Sequence, residues 1–158
     1  MPLLKYLNYK SQFYLLILGF CFALYNVVLD FKKYLAVAHN VFDFSASIPH
    51  PSLTPCFWGM LMFIACLYVA YLVSFKEKLL FQKHLFYMLV GGVVFGWSNV
   101  AYLTYIYIAK LNPIKFSFYC TGVVPVNPIY TACFGGTIAF TLSFFLAWFL
   151  YRRLFLIN

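Results

Sequence analysis

Residues 10–27 read "KSQFYLLILGFCFALYNV", and residues 83–100 read "KHLFYMLVGGVVFGWSNV". Set together at an offset of 73, they agree at Lys10/Lys83, Phe13/Phe86, Tyr14/Tyr87, Leu16/Leu89, Gly19/Gly92, Phe22/Phe95, Asn26/Asn99 and Val27/Val100. Lysine, tyrosine, glycine and asparagine stand among the matches, so shared apolar composition alone does not produce them. Downstream the halves agree again at an offset of 77, at Pro51/Pro128, Thr54/Thr131, Cys56/Cys133, Phe57/Phe134, Gly59/Gly136, Phe63/Phe140 and Ala70/Ala147. The chain reads as a tandem duplication of one helical hairpin, with repeats at 10–76 and 83–153 inside a single membrane domain, 1–158.

Composition supplies the solvent. The chain is 65% hydrophobic, 23% aromatic and 9% charged, where a soluble domain carries about 25% charged residues. Four apolar runs, at about 12–31, 55–75, 85–109 and 132–151, each approach the roughly 20 residues that cross a bilayer. Hydrocarbon offers no partner for backbone N–H and C=O groups, so such runs must be helices or a closed barrel. Barrel strands would alternate polar and apolar residues over shorter stretches. The expected fold is an all-α integral membrane protein of four transmembrane helices. Two hairpins of two spans enter with the same orientation, which places a pseudo-two-fold axis along the membrane normal.

The first run differs from a signal peptide. The triplet Ala36–Val37–Ala38 is separated from the apolar core by Asp30, Lys32 and Lys33, and cleavage sites lie close behind that core. Lys5, Lys10, Lys76, Lys78, Lys83, Arg152 and Arg153 flank one side, while Lys32, Lys33, Lys110 and Lys115 flank the other. The positive-inside rule then puts both termini in the cytoplasm and loops 32–54 and 110–131 on the exported face. Flanking lysines at an anionic leaflet account for the net charge of +8 without a nucleic-acid partner. The expected partners are the lipid bilayer and either further copies of the chain or a larger membrane complex.

The motif "TPCFWG" (54–59) returns as "TACFGG" (131–136). Thr54 and Thr131 suit the N-cap, and Pro55 suits the first helical position, where no amide hydrogen is needed. Each copy thus marks where a second helix begins its descent, with Cys56 or Cys133 in its first turn and Gly59 or Gly136 just below. At about 100° per residue, Cys56, Gly59, Phe63 and Ala70 share one helix face, and Leu16, Gly19, Phe22 and Asn26 share another. Small residues on such faces let helices approach closely.

Candidate chemistry is sparse. The cysteines are Cys21, Cys56, Cys66, Cys120 and Cys133; Cys21 and Cys66 read as apolar fillers within spans. Cys120 has no counterpart in the first repeat and pairs with Cys133 or Cys56 if a disulfide forms. Four spans, cytoplasmic termini and cysteines in both exported loops are similar in topology to the DsbB and vitamin K epoxide reductase families. That likeness implies thiol–disulfide or quinone chemistry at Cys56, Cys120 and Cys133, but the C-x-x-C pair of those families is absent here. Asp30, Asp43 and Glu77 are the acids, and none is expected inside the membrane, which argues against an acidic proton relay. His39 and His50 share the first exported loop with Asp43 and Cys56, yet match no zinc spacing. No metal and no cofactor is expected, with a quinone or a lipid as the conceivable guest.

Asn26 and Asn99 occupy equivalent positions, with Ser98 beside the second. A polar side chain in lipid is costly unless paired, so both are expected to face the interior and to bond between helices. Phe22, Phe95, Tyr25 and Trp97 would line a shared axis with them. The leading expectation is a non-enzymatic membrane module: a complex subunit, a scaffold or a binder of small apolar ligands. The alternatives are a small-solute transporter or channel lined by Asn26 and Asn99, and an exported-face thiol oxidoreductase.

Overall fold

The computed structural model describes residues 8–38, 50–109, 127, 129 and 131–155. These residues contain four α-helices: α1 Tyr9–Leu35, α2 Pro55–Phe75, α3 Phe81–Ala109 and α4 Ala132–Phe155. All four are long and apolar enough to cross a membrane. The loop residues His39, Asp43, Lys110, Lys115 and Cys120 lie outside the described residues.

Local chemistry sets the helix ends. Asn8 caps α1, its Oδ1 accepting from the Ser11 amide at 2.8 Å. Thr54 caps α2 through Oγ1, which accepts from the Phe57 amide at 3.4 Å, and Pro55 follows at the first helical position. A short 3-10 turn, Pro51–Leu53, leads into this cap. Thr131 repeats the device at α4, accepting from the Phe134 amide at 3.3 Å. Between α2 and α3 the chain reverses over a few residues, with Glu77 at φ 53°, a left-handed conformation that a side chain adopts only at some cost.

We call the end where α1 and α3 finish and α2 and α4 begin the upper end. α1 packs against α2 and α4, and α3 packs against the same two helices. The α1–α3 diagonal stays apart, whereas α2 and α4 meet across the middle. Their meeting point is the stack of Phe63 on Phe140, with ring centroids 4.0 Å apart and planes 15° from parallel. Leu16, Cys66, Ala70, Leu85, Leu89 and Ala147 complete the buried core around it.

Corresponding positions in the two hairpins make corresponding contacts. A Cβ added at Gly19 would lie 2.5 Å from the Phe63 ring, and one at Gly92 would lie 2.6 Å from the Phe140 ring. Each phenylalanine of the central pair is therefore seated against a glycine of its own hairpin. Of the two faces expected from sequence, Cys56, Phe63, Ala70, Leu16 and Gly19 are buried, whereas Gly59 and Asn26 are half-buried and Phe22 is 40% exposed. The outer surface is apolar in turn, with Leu18, Tyr68, Leu80 and Ile108 each about two-thirds or more exposed. Such continuous apolar exposure suits lipid rather than water. At the lower end, Arg152 lies over the Trp148 ring with 5.3 Å to its centroid, an arrangement that suits a side chain reaching from apolar depth toward the interface.

Candidate functional site

Because α1 and α3 do not close on each other, the upper half of the bundle keeps a narrow cleft above the Phe63–Phe140 stack. Its cavity volume is about 40 Å³, and the cleft is partly open to the surroundings. All four helices contribute, and they do so in pairs. Phe22 and Asn26 of α1 face it with Phe95 and Asn99 of α3; Cys56 and Gly59 of α2 face it with Cys133 and Gly136 of α4. Phe63 and Phe140 form the lower wall. Five pairs of lining residues are thus the same pairs that match between the halves of the sequence.

Glycine serves two different purposes in this bundle. At Gly19 and Gly92 a Cβ would strike the phenylalanine rings, so hydrogen is required there for the core to close. At Gly59 and Gly136 an added Cβ meets nothing within 4 Å. Close packing does not require glycine at those two positions; its absent side chain leaves the cleft open.

The polar lining is small. Asn26 Nδ2 donates to the Phe22 carbonyl at 2.8 Å, and Asn99 Nδ2 donates to the Phe95 carbonyl at 2.7 Å. The expected interhelical hydrogen bonds are therefore replaced by bonds one turn back along each helix. An isolated amide can shed half its unpaired donors in this way without a partner helix. The second Nδ2 hydrogen and the Oδ1 of each asparagine make no further bond among the described residues, so two amides line an otherwise apolar slot. Thr137, which also lines it, spends its hydroxyl on the Cys133 carbonyl at 2.7 Å.

Other sequence-designated residues go elsewhere. Ser98 and Trp97 are exposed on the outer face of α3, away from the cleft, and Trp97 Nε1 donates to Thr141 Oγ1 at 3.3 Å. Both sit beside Asn99 in sequence, but neighbouring residues on a helix point about 100° apart, so they cannot share its face. Tyr25 is likewise an outer residue. Conversely, Ala23, Gly96 and Thr137 line the cleft although sequence did not single them out. The offset that relates the first helices pairs Ala23 with Gly96, two small residues, and that equivalence was the available signal.

Among the cysteines, Cys21 and Cys66 are free thiols. Cys66 is fully buried filler, while Cys21 faces outward. No group of three or more histidine, cysteine or acidic side chains able to hold a metal ion occurs among the described residues. Asp30 departs from expectation. α1 continues to Leu35, so Asp30 sits within the helix rather than beyond it, with a buried Oδ2 that no described group bonds.

His50 is buried beneath the end of α1, where its ring meets Tyr34 edge-on at 4.9 Å between centroids. This aromatic seat fixes the 3-10 turn, and through it the Thr54 cap, against α1. Tyr107, which stands 73 residues after Tyr34, is 43% exposed, whereas Tyr34 is fully buried. No family model matches the chain, and neither a curated protein nor a solved structure matches it.

Proposed function

We propose that this protein is a duplicated membrane hairpin that binds a slender apolar guest, of hydrocarbon-chain width, in the cleft between its halves. The observation that carries the reading is the pair Gly59 and Gly136: two matched glycines that packing does not need and that keep a matched apolar slot open. Ligand sites are typically concave, mostly apolar and supplied with a few polar groups that orient the guest. Asn26 and Asn99 would meet its polar end, and Phe22, Phe95, Phe63 and Phe140 its body. In this reading a pseudo-two-fold axis runs along the membrane normal through the Phe63–Phe140 stack, both termini are cytoplasmic, and the cleft belongs to the exported half. No bond is made or broken, so the protein acts as a binding module.

The test uses a diazirine-bearing alkyl chain as a photoreactive probe on protein reconstituted in bilayers. Saturable labelling at cleft residues such as Gly59, Phe95 and Gly136 supports binding. Labelling confined to lipid-facing residues such as Leu18 and Tyr68 removes it.

A solute path is the second reading, favoured by the two amides on opposed helices. Any such path must part the Phe63–Phe140 stack, which fills the bundle's middle. Liposomes carrying Phe63→Ala with Phe140→Ala should then leak a small neutral solute faster than those carrying the native protein. Unchanged leak would leave only the binding role. In the third reading, thiol–disulfide chemistry would fall to Cys56, Cys120 and Cys133.

A further inference from the structure

Below the phenylalanine stack lies a second polar cluster that the cleft does not use. Gln12 of α1 is 1% exposed and Gln82 of α3 is fully buried. Gln82 Nε2 donates to Gln12 Oε1 at 3.2 Å and to the Ala147 carbonyl of α4 at 3.3 Å. That leaves Gln12 Nε2 and Gln82 Oε1 both buried, and neither has a protein partner. One helical turn above Ala147, on the same face of α4, the fully buried Ser143 also keeps its Oγ unpaired. Its neighbours Thr137 and Thr141 donate to the carbonyl one turn back; Ser143 does not.

We infer that an ordered water molecule binds between Gln12 and Gln82, accepting from Gln12 Nε2 and donating to Gln82 Oε1. A donor and an acceptor left over on two amides already bonded to each other are the complement of one molecule that both accepts and donates. An amide group left unsatisfied in a low-dielectric interior is destabilising, and buried waters in proteins typically satisfy such groups in roughly three bonds each. A cation fits less well, because Gln12 offers a donor and no carboxylate is present in the cluster.

The cluster is also asymmetric, unlike the Phe63–Phe140 layer above it. Gln12 corresponds to Leu85, Ser143 to Cys66 and Gln82 to Tyr9. The matched apolar partners Leu85 and Cys66 are themselves fully buried, so the packing of this layer accepts apolar side chains. The polar set therefore adds something beyond filling space: a hydrated station in the lower half, across the phenylalanine stack from Asn26 and Asn99.

The probe is water itself. In protein labelled with ¹⁵N at glutamine side-chain amides and held in perdeuterated detergent, the Gln12 Nε2 protons should show a cross-peak to a long-lived water. Gln82→Leu should abolish it while the backbone amide spectrum remains folded, and Ser143→Ala should leave it in place. If Gln82→Leu fails to fold, the native protein alone decides. A Gln12 amide with no water cross-peak in the native protein, or one unaffected by a folded Gln82→Leu variant, overturns the proposal.

Discussion

The upper and lower halves of this bundle are built from the same matched glycines and phenylalanines and reach opposite outcomes. In the lower half Gly19 and Gly92 admit the rings of Phe63 and Phe140, and the core closes to near-zero exposure. In the upper half Gly59 and Gly136 border the cleft, and a Cβ added at either meets nothing within 4 Å. A glycine in a membrane helix is therefore ambiguous by itself, since it can bring two helices together or hold a slot between them. What distinguishes the cases is whether a neighbouring side chain already occupies the space that a Cβ would take.

The contrast can be broken by substitution. Phe63→Ala or Phe140→Ala should have the largest effect, because each deletes a ring that fills the centre; roughly 3–5 kcal/mol per ring is expected from core truncations. Thermal denaturation in detergent would register it. Gly19→Ala and Gly92→Ala come next, at about 1–3 kcal/mol, since a Cβ forces the seated ring aside. Thr54→Ala or Thr131→Ala removes an N-cap oxygen and should lower stability by about 1 kcal/mol. Gly59→Ala and Gly136→Ala should be smallest on stability, neutral or stabilising by about 0.5–1 kcal/mol as exposed backbone gains a better helix former. If Gly59→Ala proved as damaging as Gly19→Ala, the distinction between closed and open halves would fail.

Much of this was legible in the sequence because it rests on periodicity and short-range chemistry. Helix number follows from apolar runs of bilayer length, and the caps at Thr54 and Thr131 follow from a hydroxyl that reaches an amide three residues on. The buried faces follow from residues shared between halves at helical spacing. Side-chain destinations were less legible. Asn26 and Asn99 bond their own helices because a carbonyl one turn back is always within reach, whatever the neighbouring helices do. Trp97 and Ser98 were grouped with Asn99 by adjacency, and helical rotation separates them. The glutamine cluster was missed because Gln12 and Gln82 lie 70 residues apart and neither meets an identical residue at the offset of 73.

The most direct measurement compares photolabelling by the diazirine alkyl chain in the native protein and in Gly59→Leu with Gly136→Leu. Two leucines would occupy the slot that the glycines leave. Labelling at Phe95 and Phe22 should fall several-fold in the filled variant, while labelling at the lipid-facing Leu18 and Tyr68 stays the same. Equal loss at all four positions, or no loss at Phe95 and Phe22, would contradict a binding cleft held open by Gly59 and Gly136.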